Sequence, residues 1–252
     1  MQAIREAISR GAPLFNAGEI ETCAAIYASL AEDLSSSPAL GHLHRGLLNA
    51  VAQAPPADAS ARAWAYRRAF DTVLGDEGFK PRLEAPLPTG FPAPGPVAWV
   101  VLKAFPAHRC ARTATGGFGS LFQHISTRSI AMTCPVVSTL SPARAVDMAF
   151  LYSSPAQGSL GPSATEPGVV VEDCPAAQML CLGVRGAVRD ELRELALAVL
   201  AAEAAARKLS VGKARLLGYN SPMVPDAQRY WEVAVEVTPA AAAAGAGGGG
   251  AP

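Results

Sequence analysis

One pattern occurs twice between residues 97 and 237, and it limits this chain more than any other feature. In the first half, strand-length apolar runs cover 97–105 and 108–114. A short helical stretch follows at 117–125, then runs at 130–137 and 146–152. The second half repeats the order: runs at 169–172 and 178–184, a helical stretch at 189–209, then runs at 215–219 and 231–237. The last run alternates Trp231, Val233, Val235 and Val237 with Glu232, Ala234 and Glu236, the period of a half-buried strand. The longer helix sets Leu192, Leu195, Val199, Ala202 and Ala206 on one face. Two strand–strand–helix–strand–strand units predict a duplicated α+β domain, a curved sheet or barrel with helices on its outside. The stretch 153–168, rich in Ser, Gly and Pro, joins the halves and is expected to be mobile.

Residues 1–75 read as a small helical bundle. Ile4, Ala7 and Ile8 make a short face that Gly11 and Pro13 should end, and Asn16 is placed to cap the next helix. Ser37-Pro38 is expected to open a third helix and Asp58 to cap a fourth. Residues 76–96 hold six prolines, too many for a helix or a central strand, and are expected to be a linker. The alanine and glycine of 239–252 are expected to form a disordered tail. The domain plan is therefore bundle, linker, α+β domain over 97–238, and tail.

Composition narrows the function. Lys plus Arg and Asp plus Glu are 21 each, so no charge imbalance points to nucleic acid or an anionic membrane. Half the residues are apolar, enough for a core, yet no run reaches the ~20 residues of a spanning helix. No signal peptide is evident, and five widely spaced cysteines fit buried thiols in a reducing compartment, cytoplasmic or organellar stroma. No hydrolase elbow, zinc-binding helix or phosphate loop is present, so a non-enzymatic protein is expected.

Four segments resemble one known family. They are Lys103-Ala104-Phe105-Pro106-Ala107, the helix from Phe118 to Ile125, Met132-Thr133-Cys134-Pro135-Val136, and Gly218-Tyr219 through Pro225. In this order and spacing they resemble the SOUL, or haem-binding-protein, family over residues 97–237. The resemblance implies a carrier or buffer for haem or another tetrapyrrole, bound in a shallow apolar groove. One wall would be Phe118, Leu121, Phe122 and Ile125, and the other Tyr219, Pro222, Met223 and Val224. Arg128, with Arg112 second, would meet the anionic tails of the ligand. Spacing alone makes the first wall equally what a core-packed helix shows. His124 and Cys134 are the candidate axial ligands, since imidazole and thiolate both ligate haem iron; from the residues alone His124 reads first as a partly exposed surface residue, and Cys134 as an inert buried thiol. Val224 stands where some family members carry lysine, which keeps a second reading open: a protein–protein interaction module that has lost its ligand. A partner contact through residues 1–75 is expected in either case.

Overall fold

The computed structural model describes residues 1–114 and 117–240. Four helices lead the chain: α1 (Gln2–Asn16), α2 (Ile20–Ser35), α3 (His42–Gln53) and α4 (Ala59–Gly75). Asp58 caps α4, accepting the Ala61 N–H at 2.7 Å. α1 does not end at Gly11 and Pro13 but runs through both. A Cβ at Gly11 would lie 2.5 Å from the Tyr27 ring, so close packing of α1 on α2 outweighs the local helix-breaking tendency. Glu19, not Asn16, sits at the α2 N-cap, and α3 starts behind Gly41 instead of at Ser37-Pro38. A Cβ at Gly41 would lie 2.8 Å from that of Ala98. This contact, with the Leu43 N–H on the Ala98 carbonyl at 3.0 Å, docks the bundle on the sheet.

The second region contains β1 (Val100–Phe105), β2 (His108–Ala114), α5 (Phe118–Thr127), β3 (Val136–Leu140), β4 (Asp147–Leu151), β5 (Gly161–Pro162), β6 (Val170–Cys174), β7 (Ala177–Arg185), α6 (Asp190–Ala206), β8 (Leu209–Gly218) and β9 (Tyr230–Pro239). All nine strands form one antiparallel sheet in the order β1-β7-β9-β8-β3-β4-β2-β6-β5. β1 and β5 are edges, so the sheet is open and the barrel alternative does not hold. Strands β3 and β8 pair at the centre, while β1 pairs β7 and β6 pairs β2, each crossing to the other half.

Two segments depart from their expected form. Residues 130–135 are not a strand, because their polar groups bond elsewhere: Cys134 N–H to the Pro86 carbonyl at 3.0 Å, and the Thr133 hydroxyl to the Leu151 carbonyl at 2.6 Å. β8 begins six residues early, at Leu209, with a register shift between Val211 and Ala214 that hides its alternation. β9 continues to Pro239, and the remainder of the expected tail, 241–252, lies outside the described residues.

Residues 76–96 form neither helix nor strand, as their prolines require, but they act as a strap rather than a free linker. Phe79, Leu83, Leu87 and Phe91 pack on the sheet core, and the Phe79 ring lies over Tyr230 at 6.4 Å. The bundle keeps its own core around Ile4, Tyr27, Leu48 and Phe70. A third, smaller core under α5 joins Leu121, Ile125, Phe150, Tyr152 and Val171. Among the described residues, no helix is long and apolar enough to cross a membrane.

Candidate functional site

Helix α5 packs on β2 and β4 and divides the first predicted wall in two. Leu121 and Ile125 are buried in the core beneath it. Phe118 and Phe122 remain 48% and 51% exposed. Their rings lie 6.2 Å apart and 8° from parallel, and Phe118 sets its edge on Phe150 at 5.1 Å. Core packing accounts for Leu121 and Ile125 but not for an exposed pair of stacked rings.

At the C-terminal end of α5, the segment 153–168 folds over the helix. It carries β5, and the Ser163 hydroxyl accepts the Glu166 N–H at 3.1 Å. His124 lies beneath it, fully buried rather than partly exposed, with Nδ1 2.8 Å from the Ser163 hydroxyl and Nε2 2.8 Å from the Tyr152 hydroxyl. Burial, then the Arg128 charge, pushes the His124 pKa below its usual value, with Glu166 opposing. The imidazole gains its proton more readily in the unfolded chain, so its contribution to stability is full above about pH 6.5 and falls as pH drops below it. The stability of the wild type in urea is expected to decline from pH 7 to pH 5 more steeply than that of His124→Gln. Equal slopes in the two proteins would contradict this account of His124.

Arg128 donates to the Thr165 hydroxyl at 2.9 Å and forms no ion pair among the described residues. With His124, Ile130, Tyr152, Leu160 and Val171 it borders a cleft of 480 Å³. Arg112, the second expected cation, is held by Asp147 at 2.8 Å and Glu172 at 2.5 Å, so its charge is already matched.

The second predicted wall is built on other supports. Met223 is 88% exposed, Pro222 is exposed and Val224 half-buried. Asn220 donates to the Arg82 carbonyl of the strap at 2.7 Å, the Ser221 N–H donates to Glu84, and Arg229 holds the Pro222 and Val224 carbonyls. Tyr219 points into the core, where its hydroxyl donates to Glu232 at 3.0 Å. Glu232 was expected on the solvent face of β9; it has no exposed surface, because the strap covers that face. It accepts the Gly95 N–H at 2.6 Å, the Tyr230 hydroxyl at 2.7 Å and the Lys103 ammonium at 2.6 Å. Burial, then the Glu232 charge, raises the pKa of both Tyr219 and Tyr230, which stay protonated donors.

Cys134 is also buried, and its thiol donates to the Ala85 carbonyl at 2.9 Å. Burial raises its pKa, so it is a thiol, not a thiolate. Neither axial candidate therefore has a free ligating atom. Sequence reading did not bring together Cys110, Glu172 and Cys174, whose potential ligand atoms lie within 4.8 Å of one another. Only the β2–β6 register assembles them, and no spacing along the chain signals it.

No curated protein matches the chain. Among solved structures, the cryo-EM structure of the EcmrR–DNA complex is 12% identical, covering 56% of this chain and 57% of that one at a TM-score of 0.43. The crystal structure of the EcmrR C-terminal domain is 14% identical over 56% of this chain and 97% of its own, with a TM-score of 0.42. That of a hydrolase encoded by lin2189 from Listeria innocua is 8% identical over 55% and 91%, with a TM-score of 0.43. Values this low say nothing about ligand or activity here. The model of the SOUL heme-binding protein family matches residues 95–236, more than half of the chain, and the chain belongs to that family.

Proposed function

We propose that this chain is a non-enzymatic carrier or buffer that binds haem or another tetrapyrrole along the exposed face of α5. The observation that carries the reading is the stacked, half-exposed pair Phe118 and Phe122, in a chain of a haem-binding family. A tetrapyrrole is a flat apolar disc with anionic tails, and an aromatic face with a cation beyond one end suits both parts. Phe118 and Phe122 would lie against the disc, and Arg128, which has no carboxylate partner among the described residues, would meet a propionate. Leu121 and Ile125 would support the face from beneath, while Pro222, Met223 and Val224 would contribute an outer apolar rim. Tyr219 would act only by holding that segment to Glu232.

The residues fit the disc and its tails but not the iron, since His124 and Cys134 are buried and engaged. The ligand would be held by its faces and carboxylates. Metal-free protoporphyrin is therefore expected to bind within about threefold of haemin, read by quenching of the intrinsic tryptophan fluorescence. A haemin affinity 100-fold tighter than that of protoporphyrin would mean that an axial ligand forms, against this reading.

The engaged axial candidates also favour a second reading, an interaction module without a ligand. Trp64 supports it: it stands 49% exposed on the bundle beside Phe15 and offers an aromatic contact to a protein partner. Binding of neither porphyrin would favour this reading over the first.

A further inference from the structure

We propose that Cys174 and Cys110 form a redox-active dithiol: the Cys174 thiolate reduces a hydroperoxide, and Cys110 resolves the product as an intramolecular disulfide. The pair stands apart from the α5 face and does not depend on tetrapyrrole binding.

The site is built by strand pairing. Cys110 lies at the middle of β2 and is fully buried; Cys174 is the last residue of β6, half-buried, directly before Pro175. In the β2–β6 register, Cys110 opposes Glu172 and His108 opposes Cys174, so the cysteines are diagonal neighbours on one face. Their sulfurs are 3.7 Å apart. β5 covers only Val170 and Val171 of β6, which leaves the Cys174 end of that strand without an outer partner among the described residues. Closing the sulfurs to the about 2.05 Å of a disulfide requires a shift of this strand end, which lacks a second strand neighbour but is held to β2 by the Arg109–Asp173 pair.

The surroundings select which sulfur carries the charge. A guanidinium nitrogen of Arg112 lies 3.9 Å from the Cys110 sulfur and 4.0 Å from that of Cys174. The contact with the Cys110 sulfur is the largest influence on Cys174, with neighbouring His108 and Arg112 acting in the same direction and burial opposing them. Together they bring the Cys174 pKa down to about 4. The same contact raises Cys110, which stays a thiol. Arg112 is itself paired with Asp147 and Glu172, so its charge is the smallest of these influences on Cys174. A metal ion is the less favoured occupant, since the guanidinium already sits beside both sulfurs and on the Glu172 carboxylate. An accessible thiolate beside a resolving thiol is the arrangement that hydroperoxides oxidise selectively.

The chemistry balances. The Cys174 thiolate attacks one peroxide oxygen, the O–O bond breaks, and the departing hydroxide takes a proton and leaves as water. Cys174 is then a sulfenic acid. Cys110 gives up its proton and attacks the Cys174 sulfur, the S–O bond breaks, and a second water leaves. Two thiols have been oxidised and one hydrogen peroxide reduced to two waters.

The test uses the full chain. Alkylation of wild-type Cys174 by iodoacetamide, followed by peptide mass, should vary less than about twofold between pH 5.5 and 8, whereas an ordinary thiol accelerates about tenfold per pH unit there. Hydrogen peroxide should yield a Cys110–Cys174 linked peptide that dithiothreitol reverses. In Cys110→Ser, dimedone should trap a sulfenic acid at Cys174 instead. A tenfold-per-unit profile at wild-type Cys174 overturns the thiolate assignment without requiring any variant to fold. Oxidation of Cys174 to sulfinic acid with no linked peptide overturns the resolving role of Cys110.

Discussion

Glu232→Gln is expected to lower the stability of the folded chain by about 3–5 kcal/mol, the cost of removing one member of a buried ion pair. The Glu232 carboxylate is fully buried and accepts from Lys103, Gly95, Tyr230 and Tyr219 together. The Lys103 ammonium has one further partner, the Ala93 carbonyl at 2.9 Å. An amide at position 232 turns an NH2 toward this ring of donors and leaves Lys103 charged and uncompensated in the core. Lys103→Met should cost a similar amount by stranding the carboxylate. The double variant Lys103→Met with Glu232→Leu should be much closer to wild type than the sum of the singles, because both charges then leave the interior together. Urea unfolding of the four proteins measures this. Single variants within 1 kcal/mol of wild type would mean that water reaches the pair. The network also ties the strap to β9 through Gly95, so the singles should loosen residues 90–96 as well.

Phe70→Ala is expected to cost about 3–5 kcal/mol, and to spend it on the bundle rather than on the sheet. Phe70 is fully buried in α4 and meets Tyr27 of α2 edge to face, with centroids 5.6 Å apart. That core is separate from the sheet core, and the two are joined through α3, whose Leu43 belongs to the sheet side. Amide exchange in α1, α2 and α4 should accelerate roughly 100-fold or more, while β7 and β9 keep their protection. Equal acceleration in β7 and β9 would show that bundle and sheet unfold as one unit, against the domain plan read from the sequence.

What was legible in the sequence was set by local chemistry. Asp58 caps a helix wherever a helix follows, and β9 forms a strand with Trp231, Val233, Val235 and Val237 buried as expected, although Glu232 and Ala234 between them are buried as well. The misreadings come from contacts across the chain. Gly11 reads as a helix end until Tyr27 is placed against it, and the third helix reads as opening at Ser37-Pro38 until Gly41 is placed against Ala98. Glu232 reads as a solvent-facing strand residue because its cover, the strap, is distant in sequence and supplies backbone groups that no side-chain pattern reveals. The α5 face was half legible. Spacing gave four apolar positions in a stripe, and only the packing on β2 and β4 decides that Leu121 and Ile125 turn inward while Phe118 and Phe122 stay out. The Cys110–Cys174 pair was not legible at all, since it exists only through the register of two strands some sixty residues apart.

The central claim is that the exposed α5 face holds a tetrapyrrole, and a haemin titration of the full chain followed in the Soret region tests it most directly, with Phe122→Glu as the comparison. Covering a half-exposed phenylalanine contributes about 1 kcal/mol, and a carboxylate there would also repel the propionates, so the variant should bind at least about tenfold more weakly. A saturable Soret change in the wild type that weakens by that factor is the predicted result. Equal binding by the two proteins, or a wild-type spectrum no different from that of haemin with an unrelated protein, would contradict it.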